Sequence, residues 1–253
     1  MGAVLAFANQ KGGVGKTTSV INIAAALGKR NRKVLLVDMD PQGNATSGVG
    51  IAKKKLKFTL YDAMAGKTDV HDAVVDSGFE NLYVLPSNLA LAGADAELKD
   101  ESERSHTLAR LLAPLRDEYH YILIDCPPSL NLLTINALTA ANGVVIPMPC
   151  EYFAMEGLSQ LMLSFKRVRE LYNPTLEVTG ILLTMYNGRL VLTQQVVAEL
   201  RRYYDDKLFK TTISRNIKLC EAPGFGKPIC YYDRWSRGAR EYAEVAKELI
   251  FRI

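Results

Sequence analysis

Short, continuous apolar runs recur along the whole chain, and they constrain the fold more than any other feature of the sequence. Because apolar residues follow one another instead of alternating with polar ones, each run is typical of a strand that is covered on both faces. The runs are Val4 to Ala8, Val34 to Val37, Leu82 to Leu85, Ile122 to Ile124, Val144 to Ile146 and Val178 to Leu183. They predict a buried, mostly parallel sheet.

Helical patterns separate these runs, as expected for an α/β protein. They cover Thr17 to Lys29, Glu156 to Leu171, Thr193 to Tyr204 and Arg237 to Arg252. The alternation predicts a doubly wound sheet with helices on both faces, in which ligands bind beyond the carboxyl ends of the strands. No internal repeat or Pro/Gly-rich linker divides the 253 residues. We therefore expect residues 1–253 to form a single domain.

Composition places the chain among ordinary globular proteins. The hydrophobic share of 48% and the charged share of 23% are close to average usage, which argues against disordered and fibrous classes. The four cysteines include no C-x-x-C pair, so we expect reduced thiols and a cytoplasmic protein. The apolar N-terminal run has no positive charge before it and stops at Asn9, too early for a signal peptide or a membrane span.

The segment NQKGGVGKTT, residues 9 to 18, lies between the first apolar run and the first helical pattern. Gly12, Gly13 and Gly15 allow a turn whose N–H groups point inward, and the following helix adds the positive end of its dipole. This arrangement favours phosphate binding. Lys16 is then placed to reach the β- and γ-phosphates of a nucleotide, and the Thr17 hydroxyl is placed to ligate Mg²⁺.

A second lysine makes this loop unusual. The general pattern G-x-x-x-x-G-K-[ST] requires glycine at position 10, where this chain has Gln10, and the loop carries Lys11 as well as Lys16. A single phosphate cradle has no obvious need for a lysine at each end. The residues that we expect to bind the nucleotide are Gly12, Gly13, Val14, Gly15, Lys16, Thr17, Thr18 and Asp125, to which the family resemblance described below adds Lys11.

Two further loops place carboxylates at the ends of predicted strands. In LLVDMDPQGN, Asp38 and Asp40 follow the second run, where a carboxylate can orient an attacking water or hold Mg²⁺. The alternative is that Asp40 only caps the DPQG turn. In YILIDCPPSL the apolar run leads into Asp125, the pattern of a Walker B strand with a magnesium-linked carboxylate. A structural Asp125 is the alternative, although a buried carboxylate without a partner is costly. The expected metal-binding residues are Thr17, Asp40 and Asp125.

The string KGGVGKTT resembles the deviant Walker A motif of the ParA/MinD family of ATPases. In that family the first lysine reaches the ATP of the partner subunit in a nucleotide-sandwich dimer. The resemblance therefore implies that Lys11 acts in trans, in a homodimer that forms with ATP. It also implies that Asp40 is the switch I residue of hydrolysis and that Asp38 supports it. Lys11, Lys16 and Asp40 are then the expected catalytic residues.

The resemblance extends over nearly the whole chain. The strings GNATSGVG, LLTINALTAA, EYFAMEGLSQL, GILLTMYN, RNIKLCEAP and RWSRGA are similar to the chromosomal partition ATPases called ParA or Soj. This likeness implies ATP and Mg²⁺ as cofactors and a ParB/Spo0J-like centromere-binding partner that stimulates hydrolysis. It implies a role in the segregation of chromosome or plasmid DNA.

Two local differences from the family motifs, and the position of the phosphate loop near residue 11, refine this expectation. Ile213 to Asn216 stand where the family usually has I-P-R-N, and Cys220 to Pro223 stand where it has S-E-A-P. We therefore expect the adenine-side loop to differ in detail from that of the family. Because the phosphate loop begins at residue 11, we expect no N-terminal helix-turn-helix domain and no operator-specific repression.

Positive charge is concentrated in the C-terminal third of the chain. The total formal charge is +4, whereas residues 201 to 240 hold ten Lys/Arg against four Asp/Glu, a local +6. Clustered cations of this kind favour sequence-independent binding to the phosphates of double-stranded DNA, and hence a nucleoid-associated protein. By resemblance the expected contacts are Arg189, Arg215 and Lys218, with Arg201, Arg202, Arg234 and Arg237 as further candidates.

Three other functions remain open at this point. A membrane-associated division-site ATPase of the MinD type would end in a detachable amphipathic helix, but Val245, Leu249 and Ile250 fall at the spacing of a packed helix, so we expect no stable membrane anchor. An iron–sulfur reductase of the nitrogenase iron-protein type would need cluster-binding cysteines such as Cys126 and Cys150. The third function is a nucleotide-gated scaffold whose turnover is incidental.

Overall fold

A twisted, mostly parallel sheet forms the centre of the molecule. The computed structural model describes residues 2–94, 104–151 and 154–253. Within them the strands are β1 (Ala3–Phe7), β2 (Val34–Asp38), β3 (Val75–Phe79), β4 (Leu82–Leu85), β5 (Tyr121–Asp125), β6 (Gly143–Pro149) and β7 (Glu177–Thr184). Their order in the sheet is β3-β4-β2-β5-β1-β6-β7. The sheet confirms the predicted fold class.

Helices cover both faces of this sheet. They are α1 (Lys16–Gly28), α2 (Asn44–Gly48), α3 (Leu60–Met64), α4 (Val70–Ala73), α5 (Thr107–Leu112), α6 (Leu132–Ala140), α7 (Ala154–Leu171), α8 (Val191–Tyr204), α9 (Ile217–Glu221), α10 (Ile229–Tyr232) and α11 (Arg237–Arg252). Short 3-10 turns lie at Lys53–Lys55, Leu89–Gly93, Arg104–His106, Pro114–Asp117 and Ala222–Phe225.

Two apolar layers hold these helices against the sheet. Side chains of a strand point alternately to its two faces, so Leu35 and Val37 of β2 join one layer while Val34 and Leu36 join the other. The first layer contains residues of α5, α6, α7 and α8, and the second contains residues of α1 and α11. Since both faces are buried, the strands read as continuous apolar runs in the sequence.

Strand β3 was not predicted from the sequence. It lies at the sheet edge, pairs antiparallel with β4, and its register shifts between Asp76 and Phe79. Gly78 within it has a φ of 75°, a backbone conformation that glycine adopts without strain. An edge strand whose residues are only partly buried needs no continuous apolar run. The sequence VDSGF has no such run, so the hydrophobic pattern did not predict this strand.

The C-terminal helix α11 packs on α1, as the spacing of its apolar residues predicted. Val245 and Leu249 are fully buried, and the Tyr242 hydroxyl lies 3.1 Å from the Ser19 hydroxyl of α1. Phe251 and Ile253 remain exposed beyond this contact. In the described part of the chain, none of the helices has the length and apolar character needed to cross a membrane.

Candidate nucleotide-binding site

The phosphate-loop candidate connects the end of β1 at Phe7 to the start of α1 at Lys16. Gly13 and Gly15 have φ values of 74° and 85°, in the left-handed region where glycine is favoured. Gly15 also occupies the position before the first turn of α1, and no described side chain caps that turn. The first N–H groups of α1 are therefore free of side-chain partners and suited to bind an anion.

Lys16 points back along this loop and is buried. Its Nζ donates a hydrogen bond of 3.2 Å to the Lys11 carbonyl oxygen. Burial lowers the pKa of the Lys16 ammonium, and the nearby carboxylates of Asp125 and Asp40 oppose that shift. A cation held in such a site gains most from an anion that approaches the loop, because little water screens the contact.

Lys11 points away from the loop, toward the end of β6. Its Nζ lies 2.5 Å from Oε2 of Glu151, and each of these side chains is about half exposed, at 50% and 53%. The Asn9 side chain fixes the base of the loop, since its Nδ2 donates to the Pro147 carbonyl and its Oδ1 accepts from the Lys11 N–H. The two lysines of the loop therefore diverge. Sequence reasoning assigned no role to Asn9 or Glu151, although Asn9 lies in the segment NQKGGVGKTT and Glu151 in the string EYFAMEGLSQL.

Asp38 supports the loop that carries Asp40. Its carboxylate accepts hydrogen bonds of 2.7 Å from both the N–H and the hydroxyl of Thr46, and one of 3.3 Å from the Asp40 N–H. Burial raises the pKa of Asp38 to about 6, although the Thr46 hydrogen bonds oppose this rise. Asp38 is thus committed to holding the following loop in place.

Asp40 lies in the turn after β2 and is 8% exposed. One carboxylate oxygen accepts a 2.9 Å hydrogen bond from the Gln42 N–H, which is the turn-capping contact considered from the sequence. The turn closes with a 2.8 Å bond from the Gly43 N–H to the Asp40 carbonyl. Capping uses one oxygen of the carboxylate, so the other is available for a ligand.

Asp125 ends β5 as a fully buried carboxylate, and neither of its side-chain oxygens has a hydrogen-bond partner among the described residues. Burial raises its pKa well above the usual value, with Asp38 and Asp40 adding to the rise and Thr17 and Lys16 opposing it. An unpartnered buried acceptor costs on the order of 1–3 kcal/mol. A bound cation would therefore be the partner that this carboxylate lacks.

The donors around Asp125 fit Mg²⁺. This ion prefers oxygen ligands and is commonly held by one or two protein groups together with phosphate oxygens and waters. Asp125 provides a carboxylate, and the Thr17 hydroxyl lies close enough to influence its pKa. No cluster of three or more His, Cys, Asp or Glu that could hold a metal occurs in the described ranges. A site of few protein ligands, completed by a nucleotide, matches this donor set.

A cavity of about 480 Å³ adjoins the phosphate loop. Its wall is formed by Gly15 and Thr18 of the loop and helix α1, and by residues from the end of β7 and the segments that follow: Thr184, Met185, Ile213, Ser214, Arg215, Asn216, Leu219, Cys220, Pro223 and Tyr242. Thr184 fastens β7 to the loop, because its hydroxyl donates 2.8 Å to the Val14 carbonyl. The volume suits a small organic ligand adjoining the phosphate loop.

Comparison with known proteins identifies the family. A family model described as "AAA domain" matches residues 2–178. The sporulation initiation inhibitor protein Soj of Bacillus subtilis is 50% identical over 249 residues, which cover 98% of this chain and 98% of that protein. The chromosome-partitioning ATPase Soj of Treponema pallidum is 49% identical over 252 residues, 100% of this chain and 98% of that protein. The chain belongs to the Soj/ParA family.

A solved structure outside the partition proteins shares the same fold. The crystal structure of cobyrinic acid a,c-diamide synthase from Mycobacterium smegmatis, with bound ATP analog and magnesium, has a TM-score of 0.87 and 38% identity. The match covers 99% of this chain and 94% of the synthase chain. Its identity is lower than that of the Soj proteins, so the family assignment of this chain is to Soj/ParA.

Ser214 stands where the family resemblance predicts a proline, and it makes contacts that a proline could not make. The Ser214 N–H donates 2.9 Å to Oε2 of Glu241 on α11, and the Ser214 hydroxyl donates 2.7 Å to Oε1. Arg237 pairs with the same carboxylate at 2.7 Å. A proline has neither donor, so this wall of the cavity is tied to α11 in a way that the family pattern does not allow.

We expect Ser214→Ala to lower the free energy of unfolding by about 1–2 kcal/mol, because it removes a buried hydroxyl that donates to a carboxylate. The matched control is Ser159→Ala on α7, whose exposed hydroxyl bonds only to its own helix at Met155. That change should stay within about 0.5 kcal/mol. Urea unfolding of both variants measures the difference. Equal effects would contradict a stabilising role for the Ser214–Glu241 contact.

The expected DNA-binding cations of this Soj/ParA chain, Arg189, Arg215 and Lys218, are exposed. Arg215 lines the cavity, and one Nη lies 3.9 Å from the Met185 sulfur. Lys218 begins α9 with Ile217 and pairs with Glu221 at 2.9 Å. Arg189 lies on the segment between β7 and α8 and is exposed. These positions bring the three cations to segments around one end of the sheet.

Cys126 and Cys150, considered as cluster ligands, are both buried. Burial raises the pKa of the Cys126 thiol far above its usual value and that of Cys150 to about 11. Iron–sulfur clusters are bound by thiolates, and burial of this kind disfavours the thiolate form. The site of this Soj/ParA chain therefore gives the reductase alternative no support.

Proposed function

We propose that this chain is a partition ATPase that forms an ATP-sandwich homodimer, binds double-stranded DNA without sequence preference, and is stimulated by a ParB/Spo0J-like centromere-binding protein to segregate chromosome or plasmid DNA. The membership in the Soj/ParA family makes it an ATP-hydrolysing enzyme. The observation that carries the finer proposal is the divergence of its two loop lysines, with Lys16 turned inward and Lys11 paired outward with Glu151.

ATP and Mg²⁺ are the cofactors of this enzyme. In the proposed complex the loop N–H groups and Lys16 hold the β- and γ-phosphates, and the cavity beside Gly15 and Thr18 receives the nucleoside. Thr17 and Asp125 would hold the magnesium ion, with Asp40 nearby. A bound magnesium ion neutralises phosphate charge and withdraws electrons from the bond that breaks.

Hydrolysis is proposed to depend on Asp40. Its turn follows β2, which pairs with β5, so Asp40 and Asp125 lie at the same edge of the sheet. The oxygen of Asp40 that does not cap the turn can accept a proton from the attacking water and orient it toward the γ-phosphate. Asp38 fixes this turn through Thr46, which limits the movement of the Asp40 side chain.

Lys11 is proposed to complete the pocket of the partner subunit. Within its own chain it reaches Glu151 rather than the interior of the loop, so a phosphate in the same subunit would not meet its ammonium. A half-exposed ion pair of this kind contributes only about 0–1 kcal/mol. A neighbouring nucleotide can therefore displace Glu151 at little cost, and the trans contact would form only after two subunits close.

DNA binding is proposed to follow from dimerisation. The proposed patch of each subunit rests on a few exposed cations, Arg189, Arg215 and Lys218, and single surface cations usually bind nothing specific. Two such patches on one rigid dimer bind one duplex with a high effective concentration for the second contact. Release of nucleotide would separate the patches, so ATP would control the residence of the protein on the nucleoid.

We expect Arg189→Glu combined with Lys218→Glu to weaken duplex binding at least about tenfold at low salt, because phosphate contacts dominate non-specific affinity. Dimer formation should persist, since neither side chain lies in the phosphate loop. A matched charge reversal is Lys166→Glu with Arg167→Glu on α7, which should retain DNA binding. Mobility shifts measure affinity and gel filtration measures dimers. Unchanged mobility shifts for the first variant would contradict this assignment of the DNA contacts.

The experiment that tests the whole proposal measures ATP turnover with and without duplex DNA and a DNA-bound ParB-like protein. The proposal predicts slow basal turnover and acceleration when both are present. No acceleration would favour the nucleotide-gated scaffold. Co-sedimentation with anionic vesicles in an ATP-dependent manner would favour a membrane-associated ATPase of the MinD type.

A further inference from the structure

The chain's single tryptophan lies on the surface. Trp235 is 75% exposed, and two other large apolar side chains on neighbouring segments, Ile217 and Phe225, are 75% and 66% exposed. Tryptophan is normally well buried because removal of its large apolar surface from water is favourable. Three such side chains within the stretch from α9 to the start of α11 therefore form a surface that favours a partner.

Side-chain contacts form two groups on this surface, one around Tyr232 and one at Trp235. The Phe225 ring lies 5.1 Å from the Tyr232 ring, and Lys218 Nζ lies 5.7 Å from the centre of the same Tyr232 ring. The Arg234 guanidinium lies 4.7 Å from the Trp235 ring. We call this surface the aromatic–basic face and define it by Ile217, Lys218, Phe225, Arg234 and Trp235. Each group therefore places a cation beside an aromatic ring.

The backbone presents Trp235 in a fixed turn. The Trp235 N–H donates 3.1 Å to the Asp233 carboxylate, and the Ser236 hydroxyl donates 2.8 Å to the Asp233 carbonyl. The same Ser236 oxygen accepts from the Ala239 N–H and caps α11. Because the Trp235 N–H and the following Ser236 are both held, binding of a partner would cost little ordering of this backbone.

The acidic side chains near this face are already occupied. Glu221 accepts 2.9 Å hydrogen bonds from Lys218 and from the Tyr232 hydroxyl. Asp233 is used by the turn, and Glu241 by Ser214 and Arg237. Residues 213 to 241, which include all three of these acids, carry six Lys/Arg against three Asp/Glu. The unbalanced charge is positive, so the partner that fits carries dense negative charge.

Duplex DNA matches this combination of groups better than a lipid bilayer does. Insertion into a bilayer needs a continuous apolar surface, whereas charged residues separate the exposed apolar side chains here. A DNA groove offers phosphates for the cations and, beside them, the apolar faces of deoxyribose and base edges. Resting on the proposed DNA-binding function, we propose that Trp235, together with Phe225, packs against sugars and bases in a groove while Lys218 and Arg234 bind the flanking phosphates.

This contact has a physical signature that phosphate contacts lack. Binding of a phosphate releases counterions, so each such contact steepens the dependence of affinity on salt, whereas apolar packing does not. Trp235→Ala should therefore weaken duplex binding by about tenfold at both about 50 mM and about 200 mM salt, with the salt slope unchanged. Lys218→Glu should weaken binding and make the salt slope shallower.

The test uses the emission of Trp235, since the chain has no other tryptophan. Duplex DNA added to the ATP-bound protein should quench this emission over the concentrations at which a mobility shift appears. Phe251→Ala, which removes an 80% exposed aromatic side chain outside the face, is the matched control and should bind as the wild type does. Basal ATP turnover of Trp235→Ala should be unchanged, which shows that the variant is folded.

The alternative outcomes are distinguishable. A wild-type protein that shifts duplex DNA with unchanged tryptophan emission, and a Trp235→Ala variant of equal affinity, would overturn this inference and leave the proposed function intact. A wild-type protein that shifts no DNA would overturn both. Quenching by vesicles of phosphatidylglycerol, without quenching by duplex DNA, would overturn the inference in favour of a lipid surface.

Discussion

Lys16→Ala should abolish nucleotide-dependent dimers, whereas Asp40→Ala should accumulate them. Lys16 is the buried cation of the loop, and removal of a buried partner of a phosphate weakens binding by about 100-fold or more. Asp40 lies in the turn after β2 and is assigned to the water, so its loss leaves nucleotide binding in place. Hydrolysis should then fall by about 100-fold or more, which keeps the dimer closed.

Gel filtration with ATP and magnesium distinguishes these two results. The wild type should exchange between monomer and dimer, Lys16→Ala should elute as a monomer, and Asp40→Ala as a stable dimer. Lys54→Ala serves as a control, because this exposed lysine lies far along the chain from the loop. Identical elution of the Lys16 and Asp40 variants would defeat the assignment of their roles.

Asp125→Asn should stabilise the nucleotide-free protein while it abolishes turnover. The wild-type carboxylate is fully buried, none of the described residues gives it a hydrogen bond of good geometry although the Thr17 hydroxyl lies close enough to lower its pKa, and burial disfavours its charged form. The amide of asparagine cannot ionise, so folding at neutral pH no longer requires either a buried charge or the uptake of a proton, and the free energy of unfolding should rise by about 1–3 kcal/mol. The same change removes the carboxylate assigned to magnesium, which explains the loss of activity.

The pH dependence of this gain follows from the direction of the pKa shifts. The pKa of Asp125 is raised in the folded protein, so the folded state binds a proton more tightly than the unfolded state does. Its contribution to stability is full below the ordinary aspartate pKa, near about 4, and is lost as pH rises through the folded value. Asp38, with a pKa of about 6, acts in the same direction between about pH 4 and pH 6.

The advantage of Asp125→Asn over the wild type should therefore grow as pH rises above the ordinary aspartate pKa, near about 4, and level off above the raised pKa of the folded protein. Urea unfolding without nucleotide measures it, and repetition with Mg·ATP should stabilise the wild type but not the variant. Asp206→Asn is the control, because that side chain is 76% exposed and its replacement should matter by less than about 0.5 kcal/mol. A destabilised Asp125→Asn protein would show that the carboxylate has a structural partner in the unliganded state.

The sequence predicted the elements that repeat a strong local pattern. The run Leu82 to Leu85 and the helix Arg237 to Arg252 match the observed elements at both ends. The other predicted strands are one to four residues longer in the structure or shifted by one. Strands β2, β5, β6 and β7 extend into residues that interrupt an apolar run, namely Asp38, Asp125, Gly143, Pro149, Glu177 and Thr184. The edge strand β3 has a half-exposed pattern with no apolar run, and it was therefore missed.

The residues of the candidate site likewise include some that the sequence could predict and some that it could not. The glycine positions, Lys16 and the carboxylates that end β2 and β5 could be named from the sequence, because each immediately follows a strand signal. The partner of Lys11 could not, since Glu151 is 140 residues away in the chain and meets the loop only because β6 lies beside β1. The contact of Ser214 with Glu241 likewise depends on the packing of α11 and has no local signature.

The central claim is that Lys11 acts on the nucleotide of the other subunit, and ATP turnover by mixed variants tests it most directly. Neither Lys11→Ala nor Asp40→Ala should hydrolyse ATP alone. In a mixed dimer the Lys11→Ala subunit retains its own Asp40 and receives Lys11 from its partner, so one of the two pockets is complete. An equal mixture should recover up to about a quarter of wild-type turnover per subunit, because half of the dimers are mixed and each has one complete pocket. If every pocket used its own Lys11, no pocket in any mixture would be complete, and a mixture as inactive as its separate components would contradict the account.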